Sequence, residues 1–270
     1  MKKITVVGCG WLGWPLAQTL QQKGYSVSGT VRTPDKCAAL QAANPQITMW
    51  VWDTNDFTQQ INSSLLAQTQ TLIICYPPTR GAAPTQYAQN LERVLQCAME
   101  NGVQEVIFTS STSVYPDLPQ IFTETSDTNG GSAAILEAEK ICQLYSKFLK
   151  INILRLGGLL AADRNPARYL NPDRMPNGNA SVNFVHRQDV IGVILALLEK
   201  NIAGQILNVV ADLHPLRRDF YAYACPKIGR VCPPFPSDQN LFNRLIVNDL
   251  LKEKLAYQFL FPNPLQMLEQ

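Results

Sequence analysis

"VVGCGWLGWPLA", residues 6 to 17, sets Gly8, Gly10 and Gly13 at a Gly-x-Gly-x-x-Gly spacing between an apolar run and a stretch of helical character. A strand that runs straight into a glycine turn and then a helix brings backbone amides and the helix dipole to bear on a phosphate. Gly8 permits the tight turn, Gly10 lets a pyrophosphate approach the backbone, and Gly13 lets the helix pack on the sheet. The amides near Trp11 and Leu12 face the phosphate. A glycine turn that holds nothing carries the same spacing, so the surrounding chain decides between the two.

That chain alternates. Short β-branched runs at 4–7, 26–31, 47–52, 71–75, 105–110, 151–156 and 205–210 are separated by segments of helical spacing. Seven strands with intervening helices predict a doubly wound α/β protein, a parallel sheet covered on both faces. Thr33-Pro34-Asp35 puts a cap, a proline and an acid at a helix start, and Gly24 and Gly102 fall just past helix ends. Between Pro84 and Asn101, Leu91, Val94, Leu95 and Ala98 make the stripe of a helix lying on a sheet. The rhythm weakens from about residue 157, where Gly, Pro, Asn and Arg accumulate, and a last helical stretch runs from Asn240 to about Leu255. The expected division is a Rossmann-type domain over 1–156 and 183–211, with a small substrate-binding lobe from 157–182 and 212–270. Ligands of such sheets bind at the carboxyl edge.

Composition narrows the partners. A net charge of +2, with Lys2-Lys3 and Arg217-Arg218 as the adjacent basic pairs, gives no footprint for nucleic acid. The longest membrane-like run, 190–198, is far short of the roughly 20 apolar residues that span a bilayer. The amino-terminal residues have no apolar core or cleavage site of a signal peptide, so a cytoplasmic protein is expected. The 7 cysteines include no Cys-x-x-Cys, and with only 2 histidines no metal site is expected.

The cofactor's identity turns on the end of the second strand. An NAD site carries an acid about 20 residues after the glycines to bond the ribose 2′-hydroxyl. Thr30-Val31-Arg32-Thr33 has none, and Arg32 stands in its place. A guanidinium grips a 2′-phosphate with charge-assisted hydrogen bonds, which favours NADP over NAD. A solvated arginine at a strand end is the competing reading.

"GCGWLG", the "VWD" ending at Asp53, "VIFTSSTSVYP" (106–116), "FTETS" (122–126), "NILRL" (152–156) and "NFVHRQDV" (183–190) resemble, in order, landmarks of extended and atypical short-chain dehydrogenases/reductases, the epimerase/dehydratase-like proteins. The resemblance runs to about residue 211. It implies that Asp53 contacts the adenine, although a helix-capping aspartate fits equally, and that Ser111 hydrogen-bonds the reacting carbonyl or hydroxyl. Tyr76 and Pro77, after the fourth strand, are implied to border the ribose or nicotinamide. His186 matches a histidine where the lobes join, and Asp189 is expected to cap the following helix.

The family's Tyr-x-x-x-Lys pair is missing. Between Tyr115 and Tyr145 there is no tyrosine, and 129–143 reads "NGGSAAILEAEKICQ". Tyr115 is the candidate to take over proton transfer, with Lys140 supplying charge. Three functions stay open: an NADP(H) oxidoreductase acting on a small carbonyl or hydroxyl substrate, a non-catalytic NADP-binding redox sensor, and a sugar-nucleotide epimerase or dehydratase. The oligomeric state stays open; the resemblance implies a homodimer as one reading, since relatives often dimerise through the helices near 84–101 and 132–149.

Overall fold

The computed structural model describes residues 2–56, 63–79, 81, 83–237 and 240–269. The chain opens β1 (Lys3–Val7), α1 (Gly13–Gln22), β2 (Ser26–Val31), α2 (Pro34–Ala43), β3 (Thr48–Val51), α3 (Ser63–Leu66), β4 (Thr71–Ile74) and α4 (Pro84–Glu100). It continues through β5 (Glu105–Ser111), β6 (Ile121–Phe122), α5 (Ala133–Tyr145), β7 (Lys150–Leu156), β8 (Gly158–Leu160) and β9 (Phe184–His186). The last elements are α6 (Arg187–Lys200), β10 (Ile206–Val209), α7 (Arg217–Ala224), β11 (Leu245–Ile246) and α8 (Asp249–Leu255).

All seven predicted runs enter one sheet, in the order β10-β7-β5-β4-β1-β2-β3. From β3 to β5 every pairing is parallel. The register brings the strand ends level: Val7 sits opposite both Thr30 and Ile74, and Val31 opposite Val51. Chain direction across the sheet reverses at β1, with β2 on one side and β4 on the other, which makes the carboxyl edge there a switch point where a ligand fits. Ile4, Val6, Leu72, Ile73 and Ile74 are fully buried, as strands covered on both faces must be. Leu91, Val94, Leu95 and Ala98 of α4 are likewise fully buried. Gly24 (φ +86°) and Gly102 (φ +72°) end their helices in the left-handed region.

By packing, the chain divides into two compact units: Met1–Val114 with Ser132–Leu154 and Leu197–Ile206, and Tyr115–Gly131 with Arg155–Ala196 and Leu207–Gln270. Segments 157–182 and 212–270 both fall in the second unit. Its core gathers Leu160, Ala167, Val182, Phe220, Ala224 and Met267. Within it, β11 pairs with β6 and β8 with β9, both parallel, in strands of two or three residues too short for any periodicity to announce.

Two local expectations need correction. The helical stretch expected from Asn240 to Leu255 is helical only over Asp249–Leu255, because Leu245–Ile246 is extended and paired with Ile121–Phe122. Asp189 does not cap α6; its buried carboxylate accepts from Tyr257 Oη (3.1 Å) and from the backbone N–H groups of Leu260 (2.7 Å) and Phe261 (3.1 Å). Among the described residues no helix is long and apolar enough to cross a membrane.

Candidate functional site

The glycine turn is held from beneath by β2. Cys9 N–H donates to Thr30 O (2.7 Å), Gly8 N–H to Thr30 Oγ1 (3.1 Å), and Gly10 N–H back to Gly8 O (2.7 Å). Gly8 has φ +97°, and a Cβ there would meet Cys75 and Tyr76 backbone at 3.2 Å. A Cβ on Gly13 would lie 2.2 Å from Gly8 O, so only glycine lets α1 start this close to the turn. At Gly10 the nearest atom to an added Cβ is 4.0 Å away: this face of the backbone opens outward. In the first turn of α1 Trp14 N–H donates to Gly10 O (3.1 Å) and Pro15 has no N–H, so the Gly13 N–H stands at the positive end of the helix dipole.

In front of the turn lies a cavity of about 540 Å³, of the size of small-molecule sites. Gly8 and Gly10 line it from β1, Arg32 and Lys36 from the end of β2 and the first turn of α2, Trp52, Thr54 and Asn55 after β3, and Tyr76, Pro77 and Thr79 after β4. Of the residues singled out in the sequence, Gly8, Gly10, Arg32, Tyr76 and Pro77 therefore share one cavity. Trp11, Leu12 and Gly13 continue the turn into α1 without lining it. Asp53 does not line it either. Its Oδ1 accepts from the backbone and side-chain N–H groups of Asn55, both at 3.0 Å, while Asn55 Oδ1 accepts from Asn90 Nδ2 (2.8 Å) and Thr79 Oγ1 (3.2 Å). Asp53 thus organises the loop that presents its neighbours.

The cavity's electrostatics are one-signed. Arg32 and Lys36 are both exposed and no carboxylate is among the described lining residues. Burial pushes the Cys9 thiol up to about 12, with the Lys36 ammonium pulling the other way, and burial raises Cys75 as well; neither is a reactive thiolate. The indole Nε1–H of Trp52, a residue only 3% exposed, is buried without a hydrogen-bond partner among the described residues, and burial raises the Tyr76 phenol, with the Thr54 side chain pulling the other way. An open glycine backbone and two cations around one volume fit a dinucleotide.

Lys36, Trp52, Thr54, Asn55 and Thr79 went unnoticed in the sequence. Lys36 was legible: it follows Arg32 by four residues, where a helix starting at Pro34 returns its first turn to the strand end. The inward-facing set after β3 was not, because it depends on the Asp53–Asn55 turn.

Ser111 ends β5, half-buried, and is not among the cavity-lining residues. Its Oγ accepts from Ser113 N–H (3.1 Å), which opens the short turn Thr112–Val114 and leaves the hydroxyl proton to donate. Next to it, Ser110 Oγ donates to buried Glu139 of α5 at 2.5 Å, a pairing no motif announced. Tyr115, in the second unit, is 2% exposed. Its hydroxyl accepts from Arg155 Nη1 (2.9 Å) and donates to Asn208 Oδ1 (2.7 Å), and the Arg155 guanidinium lies 5.1 Å from the ring centroid. Desolvation outweighs Arg155 and raises the phenol above its ordinary value. A hydroxyl engaged on both sides in a dry network is poorly disposed to shuttle protons. Lys140 is exposed and paired with Glu137 at 2.7 Å. His186 packs its ring 3.9 Å from that of Phe261 and accepts from Gln188 N–H at 3.3 Å, and burial lowers it to about 4.

A parallel sheet with a glycine turn and an open, cationic cavity at its switch point defines a nucleotide-binding protein of the Rossmann type. The chain belongs to the NAD(P)H-binding family, whose model matches residues 8–201. It is 31% identical over 271 residues to Protein YeeZ of Escherichia coli (strain K12), covering 99% of each chain. Its fold is shared by solved structures, two of which illustrate the likeness. UDP-glucuronic acid 4-epimerase from Bacillus cereus, in complex with NAD, has a TM-score of 0.77 at 20% identity, covering 99% of this chain and 96% of that one. A functionally unknown conserved protein from Silicibacter pomeroyi has a TM-score of 0.76 at 23% identity, covering 100% and 97%. The resemblance read from the motifs and the fold of these neighbours agree.

Proposed function

We propose that the protein is an NADP(H)-dependent oxidoreductase acting on a small carbonyl or hydroxyl compound. The observation that carries the cofactor preference is the pair Arg32 and Lys36 on one cavity wall, with no carboxylate in the described lining. A 2′-phosphate placed there gains two cations and meets no like charge, whereas the plain ribose of NAD finds no acid to bond its hydroxyl. The Gly13 N–H at the start of α1 and the open backbone at Gly10 hold the pyrophosphate, and Tyr76 and Pro77 border the opposite end. NADPH, when bound, supplies a hydride. Ser111 donates its hydroxyl proton in a hydrogen bond to the substrate oxygen, and water supplies the proton that Tyr115, committed to Arg155 and Asn208, does not.

That same commitment of Tyr115 favours a second reading, a non-catalytic NADP-binding redox sensor. Fluorescence titration with NADPH and NADH tests the cofactor: tighter NADPH binding, reduced in Arg32→Ala, is expected, and equal or tighter NADH binding would sink the preference. Oxidation of NADPH over a panel of aldehydes and ketones then separates the readings, since tight binding without turnover on any of them moves the protein to the sensor class.

A further inference from the structure

The second unit carries two cysteines that the dinucleotide reading does not use. Cys225 follows α7 and is fully buried in that unit's core, and Cys232, half-buried, packs against the same cluster. The six residues between them fold into a tight reversal. Gly229, at φ +67°, donates its N–H to Pro226 O (3.0 Å), and Arg230 N–H returns to Cys225 O (3.1 Å), the paired bonds of a Schellman turn. The Arg230 guanidinium ties the returning chain down through Ala167 O and Leu170 O, both at 2.7 Å. Two residues further on, the Cys232 thiol meets that of Cys225 in a side-chain hydrogen bond. Both thiols also bear on the Tyr221 phenol, which burial above all raises.

We propose that Cys225 and Cys232 form a redox modification site, a thiol pair that a hydroperoxide converts into an intramolecular disulfide. A disulfide needs Cα atoms about 4.4–6.8 Å apart and Cβ atoms turned toward each other. Thiols already in contact across one turn supply that arrangement with little movement of the backbone. Their unequal access sets the order of events. Cys232, the half-buried partner, is the sulfur that a peroxide reaches: it attacks the O–O bond and becomes a sulfenic acid, and the other oxygen leaves as water. The Cys225 sulfur then attacks the sulfenic sulfur, and its proton departs with the displaced hydroxyl as a second water. Two thiols are oxidised, one peroxide is reduced, and the products are a disulfide and two molecules of water. Burial holds the Cys225 thiol up at about 11, so it stays protonated until the sulfenic acid forms beside it. The bond fastens the Schellman turn to the core, whatever cofactor the first unit takes.

The test maps the oxidised protein. The full chain is treated with hydrogen peroxide at a level that converts free glutathione to its disulfide, the remaining thiols are alkylated, and tryptic peptides are weighed. Cleavage after Lys227 and Arg230 puts the two cysteines on separate peptides, 219–227 and 231–244. The expected product is that pair joined and lighter by two hydrogen atoms, which dithiothreitol returns to separate thiol peptides. Cys232→Ser is expected to leave Cys225 an unmodified thiol, and Cys225→Ala to leave Cys232 as a sulfenic acid that dimedone captures. Should the core not tolerate Cys225→Ala, the wild-type and Cys232→Ser maps carry the test alone. Cys37→Ser, at another half-buried thiol, in α2, should leave the link untouched. The linked wild type should unfold about 5 °C above the reduced form. Cys225 and Cys232 both still open to alkylation after peroxide, either of them joined to another cysteine, or a Tm lowered by the link would overturn the inference.

Discussion

The turn after β1 and the stretch after β5 are each glycine- or serine-rich exits from a strand at the sheet's carboxyl edge, yet their polar groups meet opposite fates. Around the first, Arg32 and Lys36 border an open volume with the glycine backbone and no carboxylate among the described lining residues. Along the second, Ser110 is bonded to Glu139, Ser111 to the turn that follows it, and Tyr115 to Arg155 and Asn208. Charged groups that face an open volume are placed to meet a ligand; groups that satisfy one another hold the fold. On that criterion the cavity at the glycine turn is the candidate for binding, whereas most hydroxyls of the 110–115 stretch serve stability.

The contrast can be broken at either end. The largest effect is expected at Gly13: Gly13→Ala puts a Cβ 2.2 Å from Gly8 O, and thermal unfolding should show a loss of about 3 kcal/mol or more, with NADPH affinity abolished in parallel. Next comes His186. Its folded-state value of about 4 lies below the ordinary 6.5, so the folded protein keeps the imidazole neutral while the unfolded chain takes up a proton. The contribution is full above pH 6.5 and is lost as pH falls toward 4, an upper bound of about 3 kcal/mol. Urea melts across that window should be steeper in pH for the wild type than for His186→Gln. Tyr115→Phe strips Arg155 Nη1 and Asn208 Oδ1 of a partner and is expected to cost about 2 kcal/mol, with NADPH affinity untouched; a lost activity at unchanged Tm would instead return the phenol to the chemistry. Arg32→Ala should lower NADPH affinity by about tenfold to a hundredfold at constant Tm, and NADH affinity hardly at all. Smallest in stability is Ser111→Ala, within about 0.5 kcal/mol; a turnover that falls at constant NADPH affinity would place that hydroxyl on the substrate.

The sheet was readable because parallel strands covered on both faces need unbroken β-branched runs, and "ITVV", "TLIIC" and "EVIFTS" are such runs. The glycine turn was readable because Gly8 and Gly13 each answer a backbone requirement that no other residue meets. Side-chain direction was not. Asp53 and Trp52 are adjacent, and which of them lines the cavity is decided by a hydrogen bond to Asn55. Tyr115 lies beside a serine motif in sequence, but its partners Arg155 and Asn208 are 40 and 93 positions away. Asp189 looked like a cap for the same reason: its three donors arrive from 68 to 72 residues downstream.

That last separation bears on how the protein is made. When Asp189 leaves the ribosome, Tyr257, Leu260 and Phe261 have yet to be synthesised, so its carboxylate keeps water as its partner until they arrive. The α6 end of the second unit is therefore completed only by residues 257–261, and a nascent chain arrested before residue 257 would leave that end without the donors that dry it.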